Sequence, residues 1–132
     1  MITIQRTGQR PLTFDGTLLA EADSQSHDGP LQNRWHEAAV YQTTGGKYVV
    51  QICYRTKWQG EHDHDDALAF ATKEEAATLL EEYIFPNLGT IGYPAHGSYQ
   101  DKQARLLAEL DAAWKLLVTH LLTSIGATEN VA

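Results

Sequence analysis

The segment "KWQGEHDHDDALAF" sets Glu61, Asp63, Asp65 and Asp66 together with His62 and His64 within six consecutive residues. In an extended chain His62 and His64 project to the same side. Two imidazoles so spaced can hold one divalent ion such as zinc, with Asp66 or a carboxylate from another loop as third ligand. The competing reading is a solvated turn. A metal centre needs ligands whose orientation is fixed by further hydrogen bonds, and aspartate-rich turns chiefly serve solubility and chain reversal. On that second reading Arg34, Arg55 and Lys57 lie nearby and neutralise the acids.

The elements around this segment decide which residues can join it. "AAVYQTTGGKYVVQICYRTKW" reads as a hairpin whose two strands flank a two-residue Gly45-Gly46 turn. Pairing outward from that turn sets Tyr41 beside Val50, Ala39 beside Ile52 and Glu37 beside Tyr54, with His36, Cys53 and Arg55 on the opposite face. A carboxylate at Glu37 facing Tyr54 in an apolar row must be paired or have a raised pKa. Cys53, mid-strand with no adjacent histidine, reads as a packed thiol rather than a nucleophile.

Upstream, "ITIQRTG" and "LTFDGTLLAEADS" read as two strands joined by a turn, the second with a bulge at Asp15-Gly16. "ALAF" is a fifth strand. Thr72 followed by Glu75 is a reciprocal capping pair, and it opens a helix carrying Ala76, Leu79, Leu80 and Tyr83 on one face and stopped by Pro86. After the glycine-rich "NLGTIGYPAHGSY", a helix from Asp101 to Ile125 ends at Gly126. The expected fold class is α+β: a five-stranded antiparallel meander sheet, a short helix and a long C-terminal helix packed on one face, all in a single domain spanning residues 1–132.

A meander gathers three loops at one end of the sheet, "SQSHDGPLQN", "QGEHDHDD" and the glycine-rich loop. The candidate ligand-binding residues there are His27, Glu61, His62, Asp63, His64, Tyr93 and His96, and the candidate metal ligands are His62, His64 and Asp66. On the last helix Leu106, Leu107, Leu110, Ala113, Trp114, Leu117, Val118, Leu121, Leu122 and Ile125 cover about half the circumference at 100° per residue. That is more than one sheet needs to cover, so the expectation is a homodimer through this helix, with the first helix as the other way to cover the excess.

The series "FDGTLLAEA", "YQTTGGKYVV" and "EEYIFP" resembles the C-terminal β-rich half of the bacterial EXLDI family, over residues 2 to 86. The resemblance implies the sheet and carries no activity and no site residue. The chain departs from the family in its tail, where "ATENVA" follows the long helix, and in having no N-terminal helical segment of the kind that suggests DNA binding.

Composition narrows the function classes. A net charge of −7 disfavours direct contact with nucleic acid and fits a basic protein partner instead. Apolar runs of only a few residues fall far short of the roughly 20 that cross a bilayer, and "MITIQRTGQR" has no signal-peptide core, so the expected location is the cytoplasm. The leading expectation is a non-catalytic, homodimeric binding or interaction module without cofactor. The alternative is a metal-binding protein or metal-dependent enzyme built on the His62/His64 loop.

Overall fold

The computed structural model describes residues 1–85 and 98–131, with side chains from residue 104 onward in the second segment. Its strands are β1 (Ile2–Arg6), β2 (Gln9–Phe14), β3 (Gly16–Asp23), β4 (Arg34–Thr43), β5 (Tyr48–Thr56) and β6 (His64–Phe70). The helices are α1 (Lys73–Glu82) and α2 (Ser98–Ile125), with a short 3-10 turn at Pro30–Gln32. The α+β class and the antiparallel meander hold, but the meander has four strands, in the order β3-β4-β5-β6, and β1-β2 form a separate two-stranded sheet.

The expected five-stranded sheet fails at Asp15. Apolar alternation runs on through "LTFDGTLL", yet the chain changes sheets there because Gly16 lies against the backbone of β4. A Cβ at Gly16 would sit 2.9 Å from the Thr43 Cα and closer still to the Gln42 carbonyl oxygen. Only glycine allows that approach.

The β4-β5 turn also departs from expectation, by one residue. The Gly46 N–H donates to the Thr43 carbonyl at 2.9 Å, the Thr43 N–H donates to the Lys47 carbonyl at 2.8 Å, and Gly46 has φ 84°. The loop is therefore Thr44-Gly45-Gly46, a tight turn followed by a left-handed glycine, rather than the two glycines alone. Val40 then pairs with Val50, Ala38 with Ile52, His36 with Tyr54 and Glu37 with Cys53. A one-residue shift moves one strand's side chains to the other face relative to its partner. The inner face becomes apolar and the outer face polar, replacing the mixed faces that a two-residue turn implies.

Both helices cover the inner face, α2 against β3 and β4 and α1 against β5 and β6. Ala20, Ala38, Val40, Val50 and Ile52 of the sheet meet Ala76 and Leu80 of α1 and Trp114, Leu117, Val118 and Leu121 of α2. Thr72 caps α1 as expected, accepting from the Glu75 N–H at 3.2 Å. Trp114 Nε1 donates to the Leu80 carbonyl at 3.2 Å and ties the helices together. At the end of α2 the Gly126 and Ala127 N–H groups bond back to Thr123 and Leu122, with Gly126 left-handed.

The apolar arc of α2 is largely buried within the protomer: Leu106, Leu110, Trp114, Leu117, Val118 and Leu121 are all covered. Sheet and α1 together account for it, which removes the excess from which a second subunit was inferred. Among the described residues of α2, Leu116 is the large apolar side chain most exposed to solvent. No helix among the described residues is long and apolar enough to cross a membrane.

The β1-β2 hairpin lies on the outer face, where Ile2, Ile4, Leu12 and Phe14 pack against Tyr41, Val49 and Ala67. It is stitched to β6 by Thr7 N–H to the Asp65 carbonyl at 2.8 Å and Asp65 N–H to Thr7 Oγ1 at 2.9 Å. The Thr7-Gly8 turn consequently sits beside Asp65 rather than at the Gly45-Gly46 end.

Replacing Gly16 with alanine is expected to destabilise the protein by about 2 kcal/mol, since backbone rather than a mobile side chain must give way. Urea unfolding checks this. Gly45→Ala, whose added methyl would meet only Thr43 Oγ1 at 3.8 Å, should shift the midpoint far less.

Candidate functional site

The acid-rich loop is held from β4 and β5. Lys57 N–H donates to the Asn33 carbonyl at 2.9 Å, joining the β5-β6 loop to the β3-β4 loop, so two of the three loops meet as expected. Arg34 Nε donates to both Glu61 oxygens at 3.0 Å, and its Nη2 also reaches Glu61 Oε2. Glu61 accepts from Thr56 Oγ1 at 2.9 Å and Tyr54 Oη at 3.2 Å as well. Burial pushes the Glu61 carboxyl up, but these donors more than offset it and hold it below the usual carboxylate range. The Trp58 ring covers the Arg34 guanidinium at 4.9 Å.

The neighbouring acids are engaged in the same way. Asp63 accepts from the Thr56 N–H at 3.0 Å, and Arg55 Nη1 lies 3.7 Å from Asp63 and 2.8 Å from Asp65. Asp66 accepts from Tyr83 Oη and from the Ala67 N–H, each at 2.8 Å. Arg34 pairs with Glu61 and Arg55 with Asp63 and Asp65, whereas Lys57 makes no ion pair among the described residues and Asp66 is held by neutral donors alone. His27 and His62 are exposed. His64 faces Tyr54 from β6, and its Nδ1 is buried with no hydrogen-bond partner among the described residues. Among the described residues no three of His, Cys, Asp and Glu are grouped to hold a metal ion. Tyr93 and His96 lie outside the described residues.

On the inner face the register sets His36, Tyr54 and His64 in one row across β4, β5 and β6. His36 is fully buried, stacked on Phe85 at 3.8 Å between centroids and flanked by Tyr54 and Trp114. Neither of its ring nitrogens has a partner among the described residues. Burial alone lowers its pKa from 6.5 to about 4, so the ring is neutral in the folded protein at neutral pH.

The outer face has a different character. Across the four strands Asp23, Glu37, Cys53 and Asp65 stand in one row. Because β1-β2 cover only the part around Val49 and Ala67, a concavity of about 420 Å³ remains open, lined by Glu21, Asp23, Glu37, Gln51, Cys53 and Arg55 among others. Arg55 is claimed by Glu37 at 3.2 Å in addition to Asp63 and Asp65. Trp35 Nε1 donates to the other Glu37 oxygen at 3.2 Å, so the carboxylate is paired as its strand position demands. Glu21 and Asp23, both exposed, have no ion-pair partner among the described residues. Burial, and then a hydrogen bond with Asp65, push the Cys53 thiol up to about 12, which keeps it protonated and unreactive at neutral pH.

No family model, curated protein or solved structure matches the chain. Sequence reasoning had placed Glu37 opposite Tyr54 and His36 beside Arg55, and so missed both the buried imidazole and the acidic row. The signal was present in the extra residue Thr44. A Thr-Gly-Gly loop closed by a left-handed second glycine shifts the pairing by one.

Glu61→Gln should destabilise the fold by roughly 2 kcal/mol, because Arg34 is left part-buried without its counter-charge; urea unfolding at pH 7 measures it. For His36, the unfolded chain binds the proton more readily than the folded one, so stability is full above pH 6.5 and is lost as pH falls toward 4. The loss should reach roughly 3 kcal/mol. His36→Phe, which keeps the stacked ring, should flatten the stability profile between pH 6.5 and 5, and an unchanged slope would show that His36 is not its source.

Proposed function

We propose that the protein is a non-catalytic binding module of the bacterial cytoplasm, and that it receives a cationic protein segment on the uncovered corner of its outer sheet face. The carrying observation is the open concavity whose rim holds Glu21 and Asp23, which have no cationic partner among the described residues, while Arg55 is engaged by three carboxylates. A −7 protein with a shallow acidic depression attracts positive charge at a distance and orients it on arrival. Asp63 and Asp65 hold Arg55 at the margin of that face, while Glu61 pairs with Arg34 on the opposite one. A protomer carries the whole surface, so the reading does not require a second copy.

Octalysine is a suitable probe, with Trp35 fluorescence as readout because its indole bonds Glu37 at the edge of the depression. Binding should weaken steeply with added salt. The double variant Glu21→Gln with Asp23→Asn should lose roughly tenfold in affinity, while Glu81→Gln with Glu82→Gln on exposed α1 should leave it unchanged. Equal losses in the two pairs would mean that only net charge matters and would sink the assignment.

A further inference from the structure

The same corner of the molecule ends in an unpaired strand. β3 is an edge of the four-stranded sheet, with β4 on one side only, whereas the opposite edge at β6 is stitched to Thr7. In an antiparallel ladder, directly opposed residues alternate between pairs that exchange hydrogen bonds and pairs whose backbone groups point away. The Ser24 N–H donates to the His36 carbonyl at 2.9 Å, which fixes the phase. The next pair, Asp23 with Glu37, and then Glu21 with Ala39, are of the second kind. Their N–H and C=O groups therefore point outward from the sheet. No backbone hydrogen bond to another element involves Glu21 or Asp23 among the described residues.

The residues that offer outward-pointing backbone groups are thus the two whose outer-face carboxylates have no ion-pair partner among the described residues, Asp23 Oδ1 also accepting from the Gln25 N–H at 3.1 Å. We infer that β3 is a docking edge for an extended cationic strand, which pairs antiparallel with Glu21 and Asp23 through its backbone and sets a basic side chain opposite each. This rests on the proposed acidic surface and specifies how the partner lies on it. Side chains of a paired strand alternate between faces, so lysines or arginines at every second position would all project over the depression. The residues facing Glu21 and Asp23 would be the ones whose amides bond to β3, which makes charge and backbone recognition fall on the same positions.

A second copy of this chain is the obvious competitor for an open edge, and charge argues against it. Antiparallel β3-β3 pairing centred on Ala22 would put Glu21 opposite the Asp23 of the other copy and Asp23 opposite its Glu21, carboxylate against carboxylate. The break in register between Leu18 and Ala20 further spoils a long self-pairing ribbon. Exposed Leu18, beyond the break, offers an apolar contact to the end of the incoming strand.

The test uses a Lys-Val octapeptide of strict alternation and the same peptide N-methylated at its two central lysines, both titrated into the full chain. The unmodified peptide should slow hydrogen exchange at the Glu21 and Asp23 amides, and N-methylation should weaken binding by roughly tenfold, as expected for the loss of two backbone hydrogen bonds. If both peptides bind equally and those amides stay unprotected, the edge inference is overturned while the acidic surface survives. If neither binds, both readings fall. Protection of the same amides by concentrated protein alone, unrelieved by the peptide, would assign the edge to self-pairing and overturn the inference.

Discussion

The left-handed turn at Gly46 decides what the rest of the molecule can be. One residue more or fewer between Thr43 and Lys47 would exchange the faces of β4 relative to β5, and no partial compromise exists because side chains alternate strictly along a strand. With the observed register, Ala38, Val40, Val50 and Ile52 form one apolar floor for both helices, while Glu37, Arg55 and Asp65 stand on the other side. Burial of that floor against Leu80, Trp114 and Leu121 contributes on the order of 1.5 to 3 kcal/mol for each large side chain, far more than any single turn preference. The turn and the floor therefore reinforce each other, and neither alternative pairing offers a comparable core.

Electrostatics at the loop end follow from that division. Arg34 and Arg55 emerge from adjacent strands on opposite faces, and each collects carboxylates from the same acidic segment, Glu61 on one side and Asp63 and Asp65 on the other. Alternation along the chain sends its odd-numbered members from Asp63 to the outer face and its even-numbered ones, His64 and Asp66, to the inner face. A run that looks like one cluster in sequence is divided between two environments. The acids of this segment are accordingly held by Arg34, Arg55 and Tyr83, whereas Glu21 and Asp23 on β3 have no ion-pair partner among the described residues.

Much of the architecture was legible from local signals. The Thr72 cap, the stop of α2 at Gly126 and the existence of the β4-β5 hairpin are all written in residues a few positions apart, whereas α2 begins at Ser98, three residues before the expected Asp101. What escaped depended on tertiary proximity. Whether "LTFDGTLL" is one strand or two turns on how closely Gly16 meets Gln42 and Thr43, which no alternation pattern records. The fate of the α2 arc depended on Trp114 reaching Leu80, a contact between residues 34 positions apart on different helices. The site was the least legible part, since Glu21, Asp23 and Glu37 come together only when three strands are in the correct register.

The seat of the N-terminal hairpin has a consequence for how its strands are held. Ile4 is nearly fully covered, yet the side chains that cover it include Val49 and Ala67, and Thr7 bonds to Asp65 across 58 positions of sequence. A two-stranded hairpin alone is marginal in water, so β1 and β2 gain support only once β5 and β6 are in place beneath them. The closing of so long a segment is inexpensive once those strands exist, since each doubling of loop length adds only about 0.6 kcal/mol. β1 and β2 thus lie as a clasp over a sheet whose four strands pair with one another without them.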